Sequence, residues 1–544
     1  MSARLLRRDG VWWGWGRDHD RPALGPGARA MLEAEIGPAE PAERVPLSSV
    51  HLPAAGRVPA AVVAAAGGEG AVSTELEDRV RHAAGKSYPD LVRIRSGVPG
   101  GAPDAVLAPG SAEAVAATLA ACAAERVAVV PFGGGTSVVG GVEPVRDGFD
   151  LLVSLDLAGL RACTVDPRSQ TATLGAGLRG VEAETLLNDA GFTLGHFPQS
   201  FAYATIGGFA ATRSAGQASS GYGRFDSLVT SVRMQTPRGP IATVEAPHSA
   251  AGPALRELLI GSEGTLGVIT DVTVRVRTAP EARRYEGWVV PSFGDGIETV
   301  RALAQRDVLP DVLRLSDRDE TRVSLALSGL EGARRKALDA YLGLRGRGDG
   351  CIVIVGWEGE REAVARRREL GAALLRAGGA VPLGRRPGDA WERGRYEGPY
   401  LRDALMDAGV LTETLETSHL YGRIEGLYGA VRGALADAMA AAGTPGIVLC
   451  HVSHVYRDGA SLYFTFLCAR RPGEEIAQWQ AIKGAACEAI VRAGGTITHH
   501  HGVGRDHAPY MEAEVGGLGL ESLRAVKERL DPVGVMNPGK LLGD

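Results

Sequence analysis

The sequence predicts an α+β protein on three observations. Short β-type runs of four to eight residues recur through the first half, amphipathic helices interleave with them and dominate later, and glycine, at 75 of 544 residues, is about twice its average usage. In chain order, the stretch before residue 100 combines a tryptophan cluster (Trp12, Trp13, Trp15) with Ala, Pro and Gly and supports no firm element. From Pro103 the signals sharpen. Ser111 is placed to cap a helix through "AEAVAATLAACAAER", and the apolar run "VAVVPF" after it reads as a buried strand. Strands follow at "FDLLVSLD", at "TATLGAG" and in the alternating "VITDVTVRVR", and a helix fits "GVEAETLLNDAG", which ends on a glycine suited to a C-cap. After "RTAPEARRYEG" the texture shifts to longer Arg- and Ala-rich helices separated by strands such as "CIVIVGWEG" and "SLYFTFLCA", so a domain boundary is expected near 280.

Composition removes several function classes. A net charge of -5 gives a nucleic-acid partner no global support. The six cysteines are scattered without a close pair, which argues against a zinc ribbon or a disulfide framework and for a reducing, cytoplasmic setting. No 18-residue apolar run, signal-type leader or terminal peroxisomal signal is seen.

Three glycine-rich stretches carry the binding argument. "PFGGGTSVVGG" follows a strand and contains no Lys or Arg, so its backbone N–H groups form a neutral cradle for a diphosphate; it is neither a P-loop nor a Rossmann fingerprint. "QSFAYATIGGFAATRSAG" and "GSEGTLGVIT" add small residues and hydroxyls that let a cofactor lie against the backbone. Together they suggest a flavin site. Near the C-terminus, "THHHGVGRDH" places three histidines before two glycines; histidines suit proton transfer near neutral pH, and a cluster also suits a phosphate or a metal. As a strand end, it would turn His499 and His501 to one side and His500 to the other.

These stretches resemble the FAD-binding domain of the vanillyl-alcohol oxidase / p-cresol methylhydroxylase (PCMH-type) superfamily, and within it the alkyldihydroxyacetonephosphate synthase family. The likeness begins at "WWGWG", is dense from "PDAVLAPGS" to Arg277, and returns at "RLSD", "YLRD", "SLYF" and "HHHGVG". It implies a two-part PCMH-type FAD-binding domain with a substrate/cap domain inserted before a C-terminal segment: an extension over 1–59, the FAD domain over 60–279, the cap over 280–480 and a segment over 481–544 that completes the active site.

By the same resemblance, FAD contacts fall on Pro131, Phe132, Gly133, Gly134, Gly135, Thr136 and Ser137, then on Gln199, Ser200, Phe201, Ala202, Tyr203, Ala204 and Thr205. Further contacts are Thr212, Arg213, Ser214 and Ala215, and Glu263, Gly264, Thr265, Leu266, Gly267, Val268 and Ile269. Covalently flavinylated members carry a histidine in or near the glycine loop; here Thr136 and Ser137 stand instead, so noncovalent FAD is expected. The catalytic set implied is Tyr463 as general acid/base, the histidines His499, His500 and His501, His196, Arg314 near the flavin, and Arg402 for a substrate phosphate.

The chemistry implied is exchange of the acyl chain of acyl-dihydroxyacetone phosphate for a fatty alcohol, without net redox change, with the carbon held on flavin N5 in between. The chain departs from the family at His451 and His454, where the synthases carry arginine and glutamine. The ending "NPGK" also resembles FAD-linked glycolate oxidases and D-lactate dehydrogenases. That alternative implies oxidation of a 2-hydroxy acid at a metal held by His451 and His500, with Asp458 or His454 as a further ligand, although the "GDGN" core and the glutamate of E-H-G are missing. The expected partner is a small-molecule or lipid-phosphate substrate, with a homodimer and peripheral membrane contact left open.

Overall fold

The computed structural model describes residues 6–20, 22–327, 330 and 332–543. The helix Ala112–Ala124 starts at Ser111, whose hydroxyl accepts the Ala114 N–H at 3.2 Å. It turns Val115, Leu119 and Cys122, at helical spacing, onto a four-stranded sheet. In that sheet the strands Ala105–Leu107, Leu151–Asp156 and Val127–Phe132 run parallel, and Val72–Ser73 pairs antiparallel at one edge. Strands covered on both faces need no alternation, which is why "VAVVPF" reads as one apolar run. The C-terminal tail returns here: Val129 donates to Val535 O and accepts from Asn537 N–H, and Val535 and Met536 are fully buried in this core.

A second, antiparallel sheet has the order Cys163–Asp166, Thr171–Gly175, Val268–Arg275, Val229–Thr236, Gly239–Ala242. The helix Gly180–Asp189 stands beside it, and Gly191, at φ +84°, takes the left-handed turn after its C-terminus.

From Ala282 the chain enters a seven-stranded antiparallel sheet, ordered Val381–Gly384, Ala282–Val290, Cys351–Gly359, Val312–Ser316, Ile447–Val452, Gly459–Ala469, Val410–Leu420. Period-two alternation divides its faces. Leu313, Leu315, Cys450, Val452, Phe464 and Phe466 pack with the helices Tyr421–Ala441 and Glu475–Arg492 in the largest core. The intervening residues face the cavity described below. Glu475–Arg492 spans the expected division at 480/481, and the packing of Ile482, Ala486 and Ile490 in that same core ties it to the cap sheet. Among the described residues, no helix is long and apolar enough to cross a membrane.

Candidate active site

A cavity of about 980 Å³ lies between the first two sheets, with their glycine-rich loops, and the seven-stranded sheet. On the first side it is lined by all seven residues Pro131 to Ser137, by Gln199, Ser200, Ala204 and Thr205, by Thr212, Ser214 and Ala215, and by Glu263, Gly264, Gly267, Val268 and Ile269. The glycine loop is a close-packed cradle. A Cβ on Gly133 would stand 2.4 Å from Thr205 Oγ1, one on Gly134 would stand 2.1 Å from Tyr203 O, and Gly135 has φ +63°. Among the described residues, the N–H groups of Gly133 to Ser137 meet no acceptor in the protein, and these five residues line the cavity. Five free donors in succession, with no side-chain charge on the loop, fit the diphosphate of FAD.

Other predicted contacts sit behind this lining. Tyr203 lies under Arg179, with the guanidinium 5.2 Å from the ring. Arg213 points away to Glu257 and Asp226, while Thr265 and Leu266 are buried and Phe201 stacks on Tyr396. Ala202 is not among the lining residues. His196 is fully buried between Phe209 and Phe225 and bonds Ser214 Oγ at 3.1 Å, so it reaches the cavity only through Ser214. Burial pushes His196 down to about 3.

The opposite side is set by strand register. Glu416 pairs with Tyr463, and Tyr463 with His451, so three neighbouring strands bring these residues into one row. Tyr463 and His451 line the cavity with stacked rings 4.8 Å apart. Burial raises the Tyr463 hydroxyl above its ordinary value. Arg314 reaches His451 at 3.0 and 3.1 Å and Glu320 at 2.5 Å. Burial works to raise Glu320, but Arg314 and His451 prevail and hold it down to about 2. Arg402 also lines the cavity, held by Glu413 at 2.7 Å and by Lys86 O at 3.2 Å. Lys86 N–H in turn donates to Ser137 O, which ties Arg402 to the end of the glycine loop.

The histidine run departs from the expected strand end. Residues 498–501 form a bent loop, because the N–H groups of His499, His500 and His501 (2.5, 3.0 and 2.8 Å) and the Thr498 hydroxyl (2.7 Å) all converge on the Glu416 carboxylate. His500 and His501 therefore both line the cavity. His499 turns aside, its Nε2 hydrogen-bonded to Tyr456 OH at 2.6 Å. The far flank of the run is held by Glu263, which takes the N–H groups of Val503 and Gly504 at 2.6 and 2.7 Å. Burial raises Glu263 to about 7, against those two donors. Burial also lowers all three histidines, His501 to about 3.

Nitrogen atoms of His454, His499 and His500 lie within 4.8 Å of one another, a set that could hold a metal ion. His454 Nδ1 is bonded to Ser219 Oγ at 2.6 Å, and His499 and His500 share a contact of 3.0 Å between their Nδ1 atoms. Of the ligands expected for the hydroxy-acid alternative, His454 and His500 come together with His499, whereas His451 belongs to the Arg314–Glu320 group and Asp458 is exposed. Glu416, Glu413 and Glu320 had no motif to mark them. The tryptophans find places too, Trp15 lining the cavity with its backbone N–H donating to Asp403 at 2.7 Å, and Trp13 buried.

The cavity continues into an apolar end. Met31 and Leu32 of the helix Pro26–Ile36, Val323 and Leu327 of the helix Arg318–Leu327, and Leu405 and Leu449 line it.

Comparison with known proteins agrees with this architecture. Residues 103–245 match the FAD binding domain family model, and residues 279–541 match the model for the C-terminal domain of FAD linked oxidases. The alkyldihydroxyacetonephosphate synthase of Trypanosoma brucei brucei is 35% identical over 477 residues, 85% of this chain and 77% of that protein. The synthase of Dictyostelium discoideum is 33% identical over 472 residues, with the same coverage. A glycolate oxidase subunit of Bacillus subtilis (strain 168) is more distant, at 26% over 446 residues, 81% of this chain and 89% of that one. A solved structure of an alkyldihydroxyacetonephosphate synthase superposes with a TM-score of 0.84 at 28% identity, covering 98% of this chain and 99% of that one. Substrate-bound p-cresol methylhydroxylase, at 14% identity, shares the fold with a TM-score of 0.65 over 89% of this chain and 96% of its own. With FAD as its cofactor and a PCMH-type fold, the chain belongs to the alkyldihydroxyacetonephosphate synthase family.

Proposed function

We propose that the protein exchanges the acyl chain of acyl-dihydroxyacetone phosphate for a fatty alcohol and releases an alkyl ether and a fatty acid. The observation that carries this reading is the single cavity that joins the glycine loop, the Tyr463–histidine group and an apolar end lined by Met31, Leu32, Leu405 and Leu449. A 2-hydroxy acid has no use for the last of these. A chain of methylenes does, since each one buried contributes about 0.8 kcal/mol.

When bound, FAD would supply the isoalloxazine ring beside which the substituent on the dihydroxyacetone C1 is exchanged. The protein supplies the rest. Arg314 and Arg402 bind and orient the phosphate, and Tyr463 moves the proton at C1. His500 and His501 stand beside Tyr463 to take the proton of the incoming alcohol, burial favouring their neutral forms and the Glu416 charge opposing it. The C1–O bond to the carboxylate breaks and a C1–O bond to the alcohol forms, so neither oxidant nor reductant is consumed. FAD is held noncovalently, which release of free flavin by acid precipitation checks. The free cysteines accord with a reducing compartment, and light scattering and vesicle sedimentation test for a homodimer and for membrane contact.

The test is anaerobic addition of substrates while the visible flavin absorption is followed. Acyl-dihydroxyacetone phosphate should perturb the spectrum and release fatty acid. Bleaching by D-lactate or glycolate, reversed by an electron acceptor, would overturn the reading.

A further inference from the structure

Glu416 is held by four donors from one distant segment of the chain. Its side chain is fully buried, and the ion-pair partners it has among the described residues are imidazoles, His500 at 3.6 Å and His501 at 3.8 Å. No Arg or Lys pairs with it there. What stabilises the charge is a ring of donors: three consecutive backbone N–H groups and the Thr498 hydroxyl, all at 3.0 Å or less. Burial works to raise this carboxyl, and the three imidazoles with those donors hold it well below the ordinary range.

Consecutive residues of an extended chain point their N–H groups to opposite sides. Three can meet one carboxylate only if the backbone curls around it. The curl is what brings His500 and His501 to the same wall as Tyr463, whose ring lies 6.1 and 5.4 Å from theirs. Glu416 also faces Tyr463 through strand register, so one rigid sheet positions both the tyrosine and the loop. Its charge favours protonation of His500 and His501 against burial, with Arg224 opposing at His500, and His500, Lys483 and His507 opposing at His501.

We propose that Glu416 is a positioning residue of the exchange reaction, holding His500 and His501 beside Tyr463 at the distance and orientation that proton transfer needs. This rests on the exchange reading for its kinetic part only. The isosteric Glu416→Gln removes the charge and sets an amide NH2 against an N–H donor of the run. It should keep FAD and KM near wild type while lowering kcat per bound flavin by about 10²-fold, the effect of a misplacement of about 1 Å. In protein labelled with ¹⁵N-histidine, the ring signals of the run should move. Glu416→Asp, which keeps the charge on a shorter arm, should recover part of kcat.

An unchanged kcat per bound flavin with unmoved histidine signals would overturn the proposal. So would a loss that tracks only flavin content and melting temperature. If wild type performs no exchange, the exchange reading fails, and the ring signals still decide whether Glu416 sets the run. If Glu416→Gln does not fold, Thr498→Val removes a single donor to the same oxygen and should give a smaller kcat loss in the same direction; no loss there contradicts the proposal.

Discussion

The two walls of the cavity are made by different means. On the FAD side, recognition is done by backbone: free N–H groups from Gly133 to Ser137, small residues, and glycines packed so closely that a methyl group has no room. On the cap side, side chains carry the chemistry, and they are tied to buried carboxylates: Arg314 to Glu320, Arg402 to Glu413, the backbone of the histidine run to Glu416. The first wall needs a contiguous stretch of chain with the right turns, whereas the second needs strands far apart in sequence to stand in register. The difference teaches which substitutions should abolish the cofactor and which should spare it.

The largest effect is expected where the backbone wall is broken. Gly134→Ala puts a Cβ 2.1 Å from Tyr203 O and 2.9 Å from Ala204 Cα, both backbone atoms that cannot yield cheaply. The purified variant should be colourless, with flavin content measured after acid extraction. Full FAD occupancy would mean that the cradle is less rigid than its contacts imply.

Tyr463→Phe should do the reverse, keeping the yellow colour while kcat falls by about 10²–10⁴-fold, the range for a lost general acid or base. The check is steady-state exchange normalised to bound flavin. Retained turnover would remove the tyrosine from the proton path.

At the apolar end, Leu449→Trp fills space lined by Met31 and Leu32. The preference between long and short alcohols should shift toward the short by about tenfold, since one methylene in an apolar pocket discriminates by about 10–200-fold. Competition assays with alcohols of different length measure this, and an unchanged ratio would place the chain elsewhere.

The smallest effect concerns stability alone. His196 binds a proton in the unfolded chain below its ordinary value of 6.5, but burial holds it neutral in the fold down to about 3. The unfolded state therefore gains protons as pH falls from 6.5 toward 3, and the native state loses stability over that window. His501 and His507 add to the same trend, lowered to about 3 and about 4 by burial. His196→Phe should flatten the acid side of a Tm against pH curve while leaving the flavin spectrum intact.

How much of this was legible in the sequence follows from the same division of walls. "PFGGGTS" could be read because a cradle made of consecutive N–H groups is consecutive in sequence, and most of the flavin contacts expected from the resemblance do line the cavity. Arg213 and His196 sit one layer back, because spacing within a motif says nothing of which way a side chain turns. Glu416 was invisible. It lies in "TETLETSHL", an ordinary β-type run, and acts on residues more than 80 positions later through pairing that only the folded sheet creates. The expected alternation of "THHHG" failed for the same reason, since a carboxylate from a distant strand bends the segment. The helices and strands from Ser111 onward were readable from caps and periodicity, while the tail's return to Val129 was not.

The central claim is exchange without net redox change, and its most direct test is stoichiometry. Purified enzyme, acyl-dihydroxyacetone phosphate and an isotopically labelled fatty alcohol are incubated with a chromogenic electron acceptor. The account predicts one fatty acid released and one labelled ether formed per turnover, with the acceptor unreduced. Acceptor reduction in step with substrate loss, and no label in the product, would contradict it.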